Sequence, residues 1–301
     1  MKRAVLTLVA LLSTSSALAQ QPEVTIKVEQ IAPGVAVLFG QGGNIGLSYG
    51  EDGNVLIDDQ FAPLTPKILA AVATVDPDPV KFLINTHWHG DHSGGNENLG
   101  KAGAVIMAHD NVRVRMASPQ TRGDRTTPAS PKIALPVVTY HDGLSLHVNG
   151  DEIRTVHVND AHTDGDSFVM WKKANVVHMG DLFFNKVTLP FIDLNSGGNA
   201  RGLLAAADKV LAMTNAETKY IPGHGPMATR ADLVAYRDML KTVIDTVAGG
   251  IKAKKTLAQL QATKPAAKWE VPGAFISGDA FVKAVYESLS KPAAAAHKGH
   301  H

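Results

Sequence analysis

At 301 residues, with 45% hydrophobic content and a formal charge of +1, the chain has enough apolar material for one large domain or two packed halves. So small a charge, with no concentrated run of Lys and Arg, excludes nucleic acid as the expected partner. The absence of cysteine excludes disulfides, thiolate nucleophiles and sulfur ligands, so any metal must be held by nitrogen and oxygen.

The first segment reads as a secretory leader. Lys2 and Arg3 precede an apolar run from Ala4 to Leu12, and Ala17-Leu18-Ala19 supplies small residues before Gln20. The run is too short to span a bilayer. The expectation is cleavage near Ala19-Gln20, a periplasmic or secreted location and no stable membrane insertion. Residues 20–290 then form the working domain, and 291–301, with His297, His300 and His301, a loosely ordered tail.

From Val24 to Asp58 the pattern predicts antiparallel strands. Val24 to Val28 alternates, Pro33-Gly34 turns, Val35 to Phe39 is apolar, and Asp52-Gly53 marks a hairpin. A short helix is expected over 66–75, a buried strand over Val80–Ile84, another over Val105–Ala108 and a helix over 111–117. Residues 118–136, with Pro119, Gly123, Pro128, Pro131 and Pro136, read as a long connection that either covers a site or is a plain surface excursion. Strands resume at 137–139, 144–148, 153–158, 168–171 and 176–178. A helix over 200–214, a strand over 219–221 and a helix over 231–248 follow.

The chemistry concentrates in Thr86-His87-Trp88-His89-Gly90-Asp91-His92, three imidazoles and a carboxylate directly after a buried strand. In an extended segment alternate residues point the same way, so His87 and His89 can grip one ion. Gly90 is expected to let the chain turn and hand Asp91 and His92 to a neighbouring ion. Further donors are expected where strands end: His162, Asp181 and the glycine-flanked His224. His178 reads equally as a buried strand residue or as support for a ligand; His109, His141, His147 and His157 read as ordinary.

The run H-x-H-x-D-H, followed at a distance by His162, Asp181 and His224, resembles the metallo-β-lactamase superfamily, over most of residues 24–250 and including Leu56-Ile57-Asp58. The resemblance implies an α+β fold, a four-layer αββα sandwich. It further implies two Zn²⁺ ions, one on His87, His89 and His162, the other on Asp91, His92 and His224, with Asp181 bridging them and Asp58 orienting a ligand. The same nitrogen and oxygen donors also suit iron or manganese. A metal-bound hydroxide would then open the carbonyl of a small-molecule substrate, with Asp91 orienting it and carrying its proton.

Export and His92 point to a β-lactam, whereas Asp181, where specialised β-lactamases of this family carry cysteine, points to lactones, thioesters or phosphoesters. The lysine that holds a β-lactam carboxylate in cysteine-type members falls here at Phe184, with Lys186 nearby. Trp88, Phe61, Phe184, Lys186 and Asn199 are the substrate-side candidates, with Phe183 and Phe191 on adjoining segments. The Gly40–Asn44 turn lies where the family often carries a mobile hairpin. Two rivals remain. Gly46-Leu47-Ser48-Tyr49-Gly50 matches a serine-hydrolase pattern, but another strand follows where a nucleophile elbow needs a helix. A non-catalytic periplasmic zinc-binding protein is the other, favoured only by the histidine tail.

Overall fold

A computed structural model describes residues 23–290 apart from Gly123; the expected leader and histidine tail lie outside the described residues. Its first half is laid down by short apolar runs punctuated by turns. β1 (Lys27–Ala32), β2 (Val35–Phe39), β3 (Ile45–Ser48) and β4 (Asn54–Ile57) form an antiparallel meander. Helix α1 (Thr65–Ala73) then carries the chain over, with Pro66 preorganising its first turn, to β5 (Val80–Ile84), parallel to β4. After α2 (Gly90–Ser93) and α3 (Asn96–Lys101), β6 (Val105–His109) continues the parallel portion, and α4 (Asp110–Met116) follows it.

Where a long connection is expected, the structure has a small hairpin of β7 (Gln120–Arg122) and β8 (Arg125–Thr127). The prolines explain it: Pro119 and Pro128 bound a proline-free stretch whose backbone donors are all available for pairing. β9 (Val138–Tyr140) completes a seven-stranded sheet of order β1-β2-β3-β4-β5-β6-β9.

The second sheet has the order β10-β11-β12-β13-β14, built from β10 (Ser145–Val148), β11 (Asp151–His157), β12 (Ser167–Trp171), β13 (Val176–His178) and β14 (Lys219–Ile221). Helix α5 (Ala200–Met213) connects β13 to β14, and α6 (Arg230–Lys252) follows, opened by a capping box between Thr229 and Asp232. Beyond the expected elements come α7 (Leu257–Ala262) and α8 (Gly278–Ser290), whose Leu260, Phe281, Val282 and Val285 are buried.

Strand periodicity sorts the first sheet's residues into two apolar layers. Ala36, Leu38, Leu47 and Leu56 face Ile68, Val72 and Leu99 of the helices, while Val35, Val37, Val55 and Ile57 face Val169, Trp171 and Val176 of the second sheet. That sheet's outer face, with Phe168, Met170 and Val177, packs on α5, α6 and α8. The layers are therefore helix, sheet, sheet, helix, the α+β sandwich that the sequence implies.

The remaining differences are local. Pairing begins at Lys27 and not Val24, because Val24 and Ile26 pack against the outer core before the ladder starts. Gly90 does not make its turn through conformational freedom. It opens a short helical turn, and a Cβ there would meet open space.

Candidate metal centre

All seven expected donors meet at one end of the seam between the sheets. β5 delivers His87, His89, Asp91 and His92 from the first sheet, and the other three come from the second: His162 after β11, Asp181 after β13 and His224 after β14. β13 and β14 run parallel with His178 opposite Ile221, so the turns bearing Asp181 and His224 emerge side by side. Two groups of donor atoms result, His87, His89, His162 and Asp181 in one, Asp91, His92 and His224 in the other.

Hydrogen bonds behind the rings fix which nitrogen faces inward. His162 Nδ1 lies 2.8 Å from the Phe191 carbonyl, which can only accept, so Nε2 carries the lone pair. His92 Nδ1 donates to Asp58 Oδ2 at 2.8 Å, and His89 Nε2 donates to Asp193 Oδ2 at 2.9 Å. Thr86 Oγ1 donates to Asp58 Oδ2, which leaves that oxygen to accept from His87 Nδ1 at 3.1 Å. The consequence is unusual for a packed interior: His162 Nε2 and His89 Nδ1 present lone pairs to each other 2.9 Å apart. His87 Nε2 is buried without a hydrogen-bond partner. Buried acceptors left that way cost about 1–3 kcal/mol each unless an electrophile or donor sits among them.

Two atoms at 2.0–2.1 Å from one tetrahedral zinc stand roughly 3.3 Å apart, so the donor set fits such an ion. Asp181 divides between the groups. Its Oδ2 faces His162 Nε2 at 3.4 Å and His87 Nε2 at 3.8 Å, while its Oδ1 faces His92 Nε2 at 3.0 Å and His224 Nε2 at 3.3 Å. Asp91 Oδ2 lies 3.3 Å from His224 Nε2.

The electrostatics of the metal-free protein follow the same division. Burial holds the His87 imidazole well below its ordinary value and brings His162 down to about 4, so both stay neutral. Burial pushes the Asp181 carboxyl up, but the imidazoles of His92, His224 and His162 outweigh it and hold it well below the carboxylate range. Burial likewise opposes charge on His224, yet Asp181 and Asp91 raise it to about 9. Without metal, protons on His92 and His224 balance the carboxylates.

Asp58 is fully buried at a left-handed φ of 65°, where its carboxylate also accepts from Thr86 N at 2.8 Å. Two glycines permit the close packing around it. A Cβ on Gly43 would lie 2.1 Å from the His92 ring, and one on Gly223 2.2 Å from Asp181 Oδ1. Asn44 pins the loop that holds Gly223 and His224, through Nδ2 to the Pro222 and Gly225 carbonyls, each at 2.8 Å, and His178 Nε2 in turn donates to the Asn44 carbonyl at 2.9 Å. His178 therefore ties the two halves together beside the site.

A cavity of about 800 Å³ opens over the donors. Phe61, Trp88, Phe184 and Phe191 line it with His89, Asp91, Asp181 and His224, and Phe184 stacks on His224 with centroids 5.5 Å apart. Lys186 and Asn199, also expected on the substrate side, are not among the residues that line it. Lys186 turns away to pair with Asp232 at 2.7 Å, and Asn199 caps α5, accepting from Arg201 N and Gly202 N. Phe183 packs against Tyr236 in the core.

Sequence reasoning passed over Asp193, Thr86 and Asn44, which aim or anchor the donors, and Gln120, Thr121, Thr127 and Phe275, which line the cavity. For Thr86 the signal was its place directly before His87. Asp193 and Phe275 carry no local signal at all.

A model of the metallo-β-lactamase superfamily matches residues 38–228, more than half of the chain. The beta-lactamase-like protein 2 homolog of Caenorhabditis elegans is 24% identical over 179 residues, 58% of this chain and 52% of that protein, so the chain spans about half the length of the curated relative it matches. Among solved structures, a metallo-beta-lactamase from Pontibacter korlensis is similar with a TM-score of 0.61 and 18% identity, over 72% of this chain and 99% of that one. The stereoselective inverting sec-alkylsulfatase Pisa1 from Pseudomonas sp. is similar with a TM-score of 0.66 and 18% identity, over 87% of this chain and 50% of that one. At such identities the structures speak for the fold alone, whereas the family model runs across both sheets and through every donor from His87 to His224, so the chain belongs to the metallo-β-lactamase superfamily of hydrolases.

Proposed function

We propose that the protein is a dinuclear zinc hydrolase that opens the carbonyl group of a small cyclic substrate, with a β-lactam as the first candidate and a lactone as the second. The observation that carries the dinuclear reading is the division of Asp181, one carboxylate oxygen facing each donor group. Export after cleavage near Ala19-Gln20 belongs to the same reading and suits a β-lactam, whose targets lie outside the cytoplasm. When bound, two such ions would polarise the carbonyl and lower the pKa of a shared water to about 7.

The chain's own residues supply the rest. Asp91 is the most open of the seven donors, its side chain 30% exposed and lining the cavity, so it can orient a water towards the carbonyl and pass its proton to the leaving nitrogen or oxygen. Asp58, Asp193, Thr86 and the Phe191 carbonyl hold four imidazoles with their lone pairs inward. Water adds to the carbonyl carbon, the ring bond to nitrogen or oxygen breaks, and the ring atom takes up the proton.

No Lys or Arg is among the described side chains that line the cavity. Asp181 in place of cysteine keeps a neutral lactone or thioester close behind the β-lactam. The test is turnover of a chromogenic cephalosporin, a carbapenem, an acyl lactone, a thioester, a phosphotriester and a secondary alkyl sulfate, by zinc-loaded protein with and without chelator. A kcat/KM towards about 10⁴ M⁻¹s⁻¹ on a β-lactam, abolished by chelation, supports the first candidate. Faster lactone or thioester turnover moves the assignment to that class. No turnover with two ions bound leaves a zinc-binding protein and refutes the hydrolytic reading.

A further inference from the structure

The rim of the cavity is apolar in a way the metal chemistry does not require. Large hydrophobic side chains exposed to solvent are few among the described residues, and three of them, Phe61, Val187 and Phe275, line this one mouth. They come from the first sheet's connection, the second half's loop and the C-terminal region respectively. Convergence of exposed apolar groups from separate segments marks a binding surface more strongly than any one of them would.

Phe275 stands out. It is 76% exposed, and it lies beyond residue 228, where the match to the family model ends. It is not on a free tail. Ile276 N donates to Thr188 Oγ1 at 3.0 Å, fastening the segment to the loop that carries Val187, and Gly278 N donates to Glu270 Oε1 at 2.8 Å. Ile276 packs into the second half's core, so Phe275 is held outward while its neighbour is held inward. Its ring meets Phe191 edge to face at 6.1 Å, and the Phe191 ring lies 5.4 Å from His162 and 5.9 Å from His89. An apolar path thus runs from solvent to the first donor group, with Trp88, 4.8 Å from His89, on that group's other flank.

We infer that Phe275 is a specificity-determining clamp: with Phe191, Phe61 and Val187 it holds an uncharged apolar substituent of the substrate, alkyl or aryl, that extends from the reacting carbonyl to the cavity mouth. This rests on the hydrolase reading only for which group reacts. The clamp itself predicts binding, which is measurable without catalysis.

The experiment is calorimetric titration of metal-free and zinc-loaded protein with butanamide, hexanamide and octanamide, for the wild type and for Phe275→Ala, Phe275→Leu and Phe275→Lys. Each methylene that reaches the rim should tighten binding about three- to fourfold. Phe275→Ala should weaken octanamide about tenfold while leaving butanamide unchanged, Phe275→Leu should keep most of the affinity, and Phe275→Lys should lose it. Because the side chain is exposed, unchanged melting of the variants verifies their fold. Affinity that does not grow with chain length, or octanamide binding equal in wild type and Phe275→Ala, overturns the clamp. Chain-length dependence that is lost in Phe275→Ala supports it, even if zinc-loaded protein hydrolyses nothing in the substrate panel; that outcome would remove the hydrolase reading and leave the clamp.

Discussion

Replacing Asp58 by Asn should remove one metal and spare the other. The residue is buried at a φ of 65°, a conformation that Asn tolerates nearly as well as Asp, so the substitution adds little backbone strain. The new amide can keep its oxygen on Thr86 N, now at 2.8 Å from Oδ1, but its NH₂ then replaces Oδ2, which accepts from both Thr86 Oγ1 and His92 Nδ1. A donor facing the His92 Nδ1–H is repulsive, and the simplest relief is for the imidazole proton to move to Nε2. That nitrogen is the one facing Asp181 Oδ1 and His224, so the lone pair needed for a metal would be gone. Loss of such an orienting partner typically weakens metal affinity 10- to 100-fold, about 1.4 to 2.8 kcal/mol. His87, His89 and His162 keep their other partners, apart from the shared Thr86 hydroxyl. The assay is metal content by mass spectrometry after dialysis against graded chelator: two ions for the wild type, one for Asp58→Asn at chelator levels that the wild type withstands. Asp58→Asn retaining both ions with wild-type affinity would refute the tautomer reasoning.

Other perturbations probe the same centre from different sides. Asp181→Ala removes the atom pair that serves both groups, so metal content and activity should fall together; full metal content would sink the bridging role. Gly43→Ala brings a methyl to 2.1 Å from the His92 ring and should destabilise the fold by about 1–3 kcal/mol, read by chemical denaturation, with weakened second-metal binding. His109 and His157 stack with centroids 3.6 Å apart, and burial lowers both, His109 to about 4. A folded pKa below the unfolded one means the unfolded chain binds protons first, so stability is lost as pH falls from about 6.5 towards 4. His109→Asn, which keeps an acceptor for Asn111 N, should flatten part of that fall in Tm.

The strands and the His87–His92 run were readable because both depend on short-range pattern, whereas the sandwich and the roles of His162, Asp181 and His224 came with the family resemblance. Val35 to Phe39 and Val80 to Ile84 are apolar runs bounded by turns, and His87 to His92 packs its message into six positions. Partners arising from chain return could not be read. Asp193 meets His89 across 104 residues, and nothing in Phe191-Ile192-Asp193-Leu194 distinguishes that carboxylate from a surface one. For Lys186 the difficulty is direction: proximity along the chain to Asp181 says nothing about where a side chain points, and at a φ of 63° this one pairs with Asp232. The hairpin at 120–127 was obscured by its flanking prolines.

Because four of the donors hang from one sheet and three from the other, an ion held by either group would also be a rivet through the seam. Neither sheet holds a complete set, so an ion released by opening either half is lost to both. Occupancy at a hundred times Kd adds about 2.7 kcal/mol to the folded state, and that increment is carried by the contact between halves and not by either one. Chelation should therefore do more than silence chemistry. It should also loosen the seam, leaving it to the apolar layer of Val35, Val55, Val169 and Trp171 and to the hydrogen bonds that Asn44 makes with His178 and Pro222.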